Sequence, residues 1–196
     1  MGNYYQALIA VDASESEASS LGDRAVAWLV ARGIVAAELT DCVLGGERLG
    51  RRPGPGCALT TDEDGPFAPY NHGFRICGLD VAPCRSVTVG WPAPAACPRC
   101  GWTDPIEGDG GELTDQWWRI ADALGEWHKG GPGLVDCPSC VLPVGLNDWQ
   151  PDFLASWAVG QLAFTFWNWP VLAKSFIADF SQALGGHRLR HASFKI

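Results

Sequence analysis

Four of the eight cysteines lie in two pairs with the same spacing. The pairs are Cys97 with Cys100 and Cys137 with Cys140, and each reads Cys-Pro-x-Cys. Two intervening residues allow both thiolates of a pair to face one tetrahedral metal ion at about 2.3 Å. The first residues show no signal-peptide pattern, so we expect a cytoplasmic protein, and disulfides are rare in that compartment. The spacing therefore favours a metal site over disulfide bonds.

Proline follows the first cysteine of each pair, and Gly101 follows the second cysteine of the first pair. These residues suit tight turns whose backbone N–H groups face the sulfurs and stabilise thiolates. The two turns resemble the knuckles of the zinc ribbon family, carried in a chain that resembles small uncharacterised bacterial α+β proteins. That resemblance implies one structural Zn²⁺ per chain, held by Cys97, Cys100, Cys137 and Cys140. A site closed by four cysteines leaves no position for water or substrate, which makes it structural.

The segment between the two pairs is longer than usual for a ribbon. It has 36 residues between Cys100 and Cys137, against about 15–20 in common zinc sites. Apolar residues at helical spacing predict a helix over about 113–128, with Thr114 as its cap. A redox dithiol pair and an iron centre stay open as alternatives to zinc.

The other four cysteines, Cys42, Cys57, Cys77 and Cys84, are irregularly spaced. We expect them to be small buried side chains, because free cysteine is commonly buried; a second metal site is the alternative. An enzyme with a cleft near His72, Cys77 and Trp167 is the alternative function, since a cysteine and a histidine can form a nucleophile and base. No known catalytic signature surrounds these residues, so a catalytic role is uncertain and less favoured than binding.

Regular elements are predicted at both ends of the chain. Residues 4–11 are β-prone, and Ser14 with Glu17 forms a capping-box pattern for a helix that ends at Gly33. The predicted elements between and after these are a loop over 45–69, strands over 73–81, 85–89 and 161–169, a helix that opens at Pro170, and a strand over 187–196. This order predicts an α+β protein with a ferredoxin-like βαββαβ antiparallel sheet and helices on one face.

The domain organisation follows from the cysteine-rich segment. We expect residues 1–90 and 151–196 to be the two halves of the α+β domain. Residues 91–150 would then be an inserted zinc-ribbon subdomain with a helix. Residues 95–150 hold three basic and nine acidic residues, a net charge of −6, and the whole chain has a net charge of −8.

This charge bears on the partners of the chain. Acidic surfaces repel phosphate, so nucleic acid is an unlikely ligand, although the basic side chains of the last strand and the ribbon turns leave that alternative open. No apolar run approaches the roughly 20 residues that cross a bilayer, so we expect no membrane contact. An acidic surface suits a basic protein partner.

Ten tryptophans are present, and tryptophan is enriched at binding hot spots. We therefore predict a partner surface from Trp102, Trp149, Trp167 and Trp169, with core packing as the alternative. The C-terminal strand–helix–strand is similar in architecture to small bacterial immunity proteins, which block a toxin by binding it. The sequence thus favours a non-catalytic cytoplasmic protein-binding module, such as an immunity or adaptor protein, stabilised by structural zinc.

Overall fold

A mainly antiparallel β-structure with three helices makes up the described part of the chain. The computed structural model describes residues 2–46, 48–62, 75–90, 93–108, 110–150 and 155–196. In chain order the elements are β1 (Tyr4–Ala10), α1 (Glu15–Ala31), β2 (Val35–Thr40), β3 (Gly50–Pro53), β4 (Gly78–Ala82), β5 (Ser86–Val89), β6 (Ala95–Ala96), β7 (Thr103–Asp104), α2 (Asp115–His128), β8 (Leu134–Asp136), β9 (Pro143–Gly145), β10 (Trp157–Gly160), β11 (Leu162–Trp167), α3 (Lys174–Ala183) and β12 (Leu189–Lys195). Short 3-10 helices lie at Cys57–Thr60 and Leu146–Asp148.

Six strands form the main sheet, in the order β12-β1-β11-β4-β3-β2, and every neighbouring pair is antiparallel. In the register, Leu8 of β1 lies between Phe164 of β11 and His191 of β12. Successive side chains of a strand point to opposite faces. Leu8 therefore packs with the helices, while Ile9 packs on the other face. Both faces of β1 are covered, which explains the unbroken apolar run over residues 7–10.

Helices α1 and α3 cover one face of this sheet and bury an aromatic core. Phe164 of β11 meets Phe180 of α3 edge to face, with ring centroids 4.9 Å apart. Phe166 packs in the same way on Trp169, at 5.3 Å. Edge-to-face pairs of this kind contribute about 0.5–1.5 kcal/mol beyond their buried area. This core holds the two ends of the chain together.

The predicted helices are present, with one shifted start. Ser14 is the N-cap of α1, and its hydroxyl donates to the Glu17 carboxylate at 2.7 Å. Gly33, at φ +67°, ends that helix as predicted. Helix α3 begins at Lys174 rather than at Pro170. The buried Gln6 amide explains the shift, because it donates to the Pro170 carbonyl and accepts from the Leu172 N–H, which holds this segment extended.

The sheet has two strands that the sequence did not predict. Strand β2 follows α1, and β3 lies inside the segment 45–69 that was expected to be a loop. The sequence of β3, Gly-Arg-Arg-Pro, has low strand propensity, and its pairing with β2 and β4 overrides that preference. The predicted strand at 85–89 is present as β5, but it pairs with β10 outside the main sheet.

A second hydrophobic core lies among the residues that carry the cysteine pairs. We call residues 93–150, as far as they are described, the cysteine lobe. Helix α2 begins after Thr114, whose side chain accepts from the Trp117 N–H at 3.2 Å, as predicted. The buried members of this core are Ala95, Cys97, Ile106, Trp117, Ile120, Leu124, Val135, Cys137, Val144, Leu146, Trp149, Trp157 and Val159.

Strand β10 joins the two cores. Its Ala158 packs on the main sheet beside Ile9. Its Trp157 points to the opposite side and meets Trp117 of α2 edge to face, at 6.1 Å. The cysteine lobe is thus held against the face of the sheet that the helices leave free. No helix in the described ranges is both long enough and apolar enough to cross a bilayer.

Candidate metal centre

The two cysteine pairs lie at the tips of two short hairpins, β6–β7 and β8–β9. The two turns form the same backbone hydrogen bonds. In the first, Cys97 N–H donates to Trp102 O at 2.8 Å and Gly101 N–H donates to Cys97 O at 2.9 Å. In the second, Cys137 N–H donates to Leu142 O at 3.0 Å and Val141 N–H donates to Cys137 O at 2.9 Å. Equivalent turns therefore present equivalent thiols.

The four sulfurs converge on one point. All of them lie within 4.8 Å of one another, with Cys97 Sγ 3.9 Å from Cys140 Sγ and Cys100 Sγ 3.7 Å from Cys137 Sγ. A tetrahedron with metal–sulfur bonds of about 2.3 Å has sulfur–sulfur edges of about 3.8 Å. A disulfide needs sulfurs about 2.05 Å apart. The four cysteines therefore fit one tetrahedral metal ion.

No protein-family model matches this chain, and neither the curated proteins nor the solved structures searched contain a match.

The electrostatics of the second turn prepare a thiolate. Burial raises the pKa of Cys137, but the backbone N–H groups of Cys140 and Ser139 and the neighbouring thiols outweigh it and lower that pKa to about 7. At Cys140 the Leu142 N–H lowers the pKa, while burial and hydrogen bonding to the other three thiols raise it to about 11. The N–H groups face the sulfurs of this turn, as the sequence predicted. The lowered pKa favours the thiolate form of Cys137, which is the form that binds a metal ion.

The cysteine lobe packs against the sulfur cluster from one side. Cys97 and Cys137 are buried, while Cys140 is half-buried and Cys100 is exposed. Half-buried Trp102 meets Trp149 edge to face at 6.4 Å. Asp104 connects the first hairpin to α2, because its Oδ1 accepts from Ile106 N–H at 2.7 Å and from the Thr114 hydroxyl at 2.8 Å. The centre is thus part of the lobe's core.

The two turns differ in the residue that directly follows the second cysteine. Gly101 and Val141 occupy the same place, and both have left-handed backbone angles, with φ +74° and +59°. Glycine adopts this conformation freely, whereas a β-branched residue rarely does. Aligning the two turns in the sequence would have shown that Val141 stands where the first turn has glycine.

The other cysteines form no second site in the described structure. Among the described residues, the only cluster with metal-binding geometry is the one above. Cys42, Cys57 and Cys77 are buried, as predicted, but Cys84 is exposed, so that part of the prediction is wrong. Burial, with a contribution from Cys42 against the opposing charge of Arg52, raises the pKa of Cys77 to about 12.

These positions bear on the enzyme alternative. At that pKa the Cys77 thiol stays protonated at neutral pH and is a poor nucleophile. His72 lies outside the described residues. A cavity of about 410 Å³ lies between α1 and strands β2–β4, and neither Cys77 nor Trp167 lines it. The pairing of Cys77 with His72 therefore stays a prediction.

Three of the four predicted partner-binding tryptophans lie inside the protein. Trp149 and Trp169 are each 1% exposed and Trp167 is 9% exposed. Trp169 belongs to the helix-side core and donates its indole N–H to the Thr60 hydroxyl at 2.8 Å. Trp149 lies in the core of the cysteine lobe, and Trp167 lies in a separate cluster with Cys42 and Val43. All three side chains are therefore packed inside the protein, as the alternative interpretation, core packing, has it. Trp102 is half-buried, so part of its surface is exposed to solvent.

Two basic residues of β12, Arg190 and His191, are buried. Arg190 is fully buried and donates to the carbonyls of Trp157 and Gln150, at 2.8 and 2.9 Å. Arg188 pairs with Asp148 at 2.9 Å. His191 is 1% exposed, and burial lowers its pKa to about 4. Arg190 and His191 are thus buried within the fold, whereas Arg188 and Lys195 are exposed. The nucleic-acid alternative stays a prediction.

One connection had no signal in the sequence. Arg85, just before β5, places its guanidinium 3.7 Å from the centroid of the Trp127 ring. The same group donates to the carbonyls of Trp127 and Gly131 at the end of α2. Arg85 thereby fastens the cysteine lobe to the body of the protein.

Proposed function

We propose that this chain is a non-catalytic, cytoplasmic protein-binding module whose cysteine lobe is stabilised by one structural zinc ion. The observation that carries this proposal is the convergence of four cysteine sulfurs with edges of 3.7 and 3.9 Å. Zinc in such a site has no open position, so it stabilises the lobe rather than performing chemistry. Four-sulfur tetrahedral sites hold zinc or iron. Zinc is proposed because the paired Cys-Pro-x-Cys turns resemble those of zinc ribbons.

The proposed architecture is a ferredoxin-like α+β domain with a zinc-ribbon insertion over about 91–150. In support, the four strands β12-β1-β11-β4 alternate in direction, and both α1 and α3 pack on one face of them. Strands β2 and β3 extend the edge of that unit. The separate core of the cysteine lobe supports an inserted unit, and Trp157 and Val159 show that the body contributes to it.

A protein partner with a basic surface is favoured by charge. The cysteine lobe carries most of the net negative charge of the chain. Such a surface speeds the encounter with a basic protein and disfavours phosphate backbones. An immunity or adaptor role is consistent with this charge, with a basic toxin as one suitable partner.

Native mass spectrometry of protein purified without chelator from its natural host tests the proposal. We expect one zinc per chain and a heavier species that contains the partner. Cys100→Ser and Cys137→Ser should lose the metal and make residues 95–150 sensitive to protease. Cys84→Ser is the matched control, since Cys84 is as exposed as Cys100 but lies outside the cluster. It should keep the metal.

Other outcomes contradict specific parts of the proposal. Iron in the spectrum would contradict structural zinc and indicate an electron-transfer centre instead. An absence of metal, with reversible thiol oxidation, would make the pairs redox-active dithiols and reopen the enzyme alternative. Full metal retention in both ligand variants would contradict the ligand set.

A further inference from the structure

Large exposed apolar side chains flank the second cysteine turn but not the first. Val141, Leu134 and Leu142 are 75%, 50% and 46% exposed, and Pro143 is exposed as well. We call Leu134, Val141, Leu142 and Pro143 the knuckle patch. The first turn exposes Pro98, Arg99 and Gly101 at its tip, followed by Thr103. The two hairpins thus share a backbone but differ in the surface that they present.

The backbone at Val141 indicates that its side chain is kept for a reason other than folding. At φ +59° a β-branched residue is strained, and the equivalent turn relieves this strain with Gly101. Since three quarters of the Val141 side chain is exposed, packing within the chain offsets little of that cost. Strain and exposed apolar surface at one position are typical of binding sites.

The charge around the knuckle patch defines what it can bind. Asp136 lies opposite Pro143 in the β8–β9 register and is exposed. The lobe as a whole is acidic, with three basic and nine acidic residues over 95–150. A partner that buries the patch would have to match apolar surface at the centre and negative charge at the rim.

We propose that the knuckle patch docks a basic amphipathic segment of a protein partner, with apolar side chains against Val141 and Leu142 and lysine or arginine toward Asp136. This inference rests on the proposed function, because the metal centre holds the turn in shape. It assigns the partner-binding role to exposed residues of the second hairpin instead of the buried tryptophans.

The test uses the full chain with its metal and a fluorescently labelled helical peptide of leucine and lysine, amphipathic in design. Fluorescence anisotropy should show binding that weakens as salt is added. Val141→Gly and Leu142→Ala should each lower the affinity at least tenfold without lowering the midpoint of urea unfolding. Leu59→Ala is the matched control, because Leu59 is 61% exposed outside the lobe and should bind as the wild type does.

The other possible results contradict either the docking site, the proposed function or the kind of partner. If Val141→Gly bound the peptide as tightly as the wild type, the knuckle patch would not be the docking site. The same conclusion would follow if the zinc-loaded wild type did not bind the peptide. Neither result would contradict structural zinc. Zinc-free protein in the same samples would overturn the proposed function first. Sedimentation that shows self-association lost in Val141→Gly would assign the patch to a second copy of this chain and overturn a heterologous partner.

Discussion

The equivalent positions 101 and 141 allow a reciprocal substitution. In a left-handed conformation, an L-residue other than glycine costs about 1–2 kcal/mol. At Gly101 an added Cβ meets nothing within 4 Å, so the cost of the substitution in the folded state comes only from the backbone conformation. Alanine also reduces the entropy of the unfolded chain, which offsets about 0.4–1 kcal/mol. We therefore expect Gly101→Ala to lower the free energy of unfolding by about 1 kcal/mol.

Val141→Gly reverses these terms. It removes the left-handed strain of about 1–2 kcal/mol and adds unfolded-state entropy worth about 0.5–1 kcal/mol. Little buried area is lost, because the side chain is 75% exposed. The expected result is a gain of about 0.5–1 kcal/mol, opposite in sign to Gly101→Ala.

Urea unfolding at saturating zinc, followed by tryptophan fluorescence, measures both variants. The metal content of each variant is checked first, so that the comparison reports on the backbone. If Val141→Gly were less stable than the wild type by about 1 kcal/mol or more, the side chain would be supplying contacts that the structure does not show. Such a result would refute backbone strain as the dominant contribution of Val141 to stability.

Two further substitutions test the core and the connection between lobe and body. Burial lowers the pKa of His191 to about 4, below its unfolded value near 6.5, so its stabilising contribution is full above pH 6.5 and is lost as the pH falls toward 4. The wild type should therefore lose about 3 kcal/mol of stability over this pH range. In urea unfolding measured at a series of pH values, His191→Gln should not show this loss. If the variant lost as much stability as the wild type, the buried neutral imidazole would be contradicted. Arg85→Ala should lower the free energy of unfolding by about 2 kcal/mol, because it removes a cation–π contact and two hydrogen bonds. It should also speed hydrogen exchange at residues 126–131. Unchanged exchange there would show that other contacts hold the lobe.

Local signals predicted much of the helical structure and which four cysteines could share one site. Ser14, Gly33 and Thr114 mark helix ends because capping depends on residues within one turn of the chain. The Cys-x-x-Cys spacing places two thiols on one turn for the same reason. That the two turns meet depends on the 36 residues between them, which only the folded lobe brings into register.

Strand assignments were less complete, and the reason is the range of the interactions. Strand β3 exists because β2 and β4 pair with it. Strand β5 leaves the main sheet because it pairs with β10, whose residues lie 68 to 74 positions further along the chain. Neither pairing leaves a pattern in the strand itself. Contacts between distant segments decide which of several β-prone runs join one sheet.

The sequence by itself determined the types of side chain available for chemistry, the spacing of the cysteine ligands and the acidic character of the lobe. Tertiary structure alone decided which side chains are accessible. Trp149 and Trp169 have the composition of a binding surface but fill two cores, and Arg190 has the charge of a phosphate ligand but donates to internal carbonyls. Exposure is a property of the packed chain, because a side chain is buried by residues far from it in sequence.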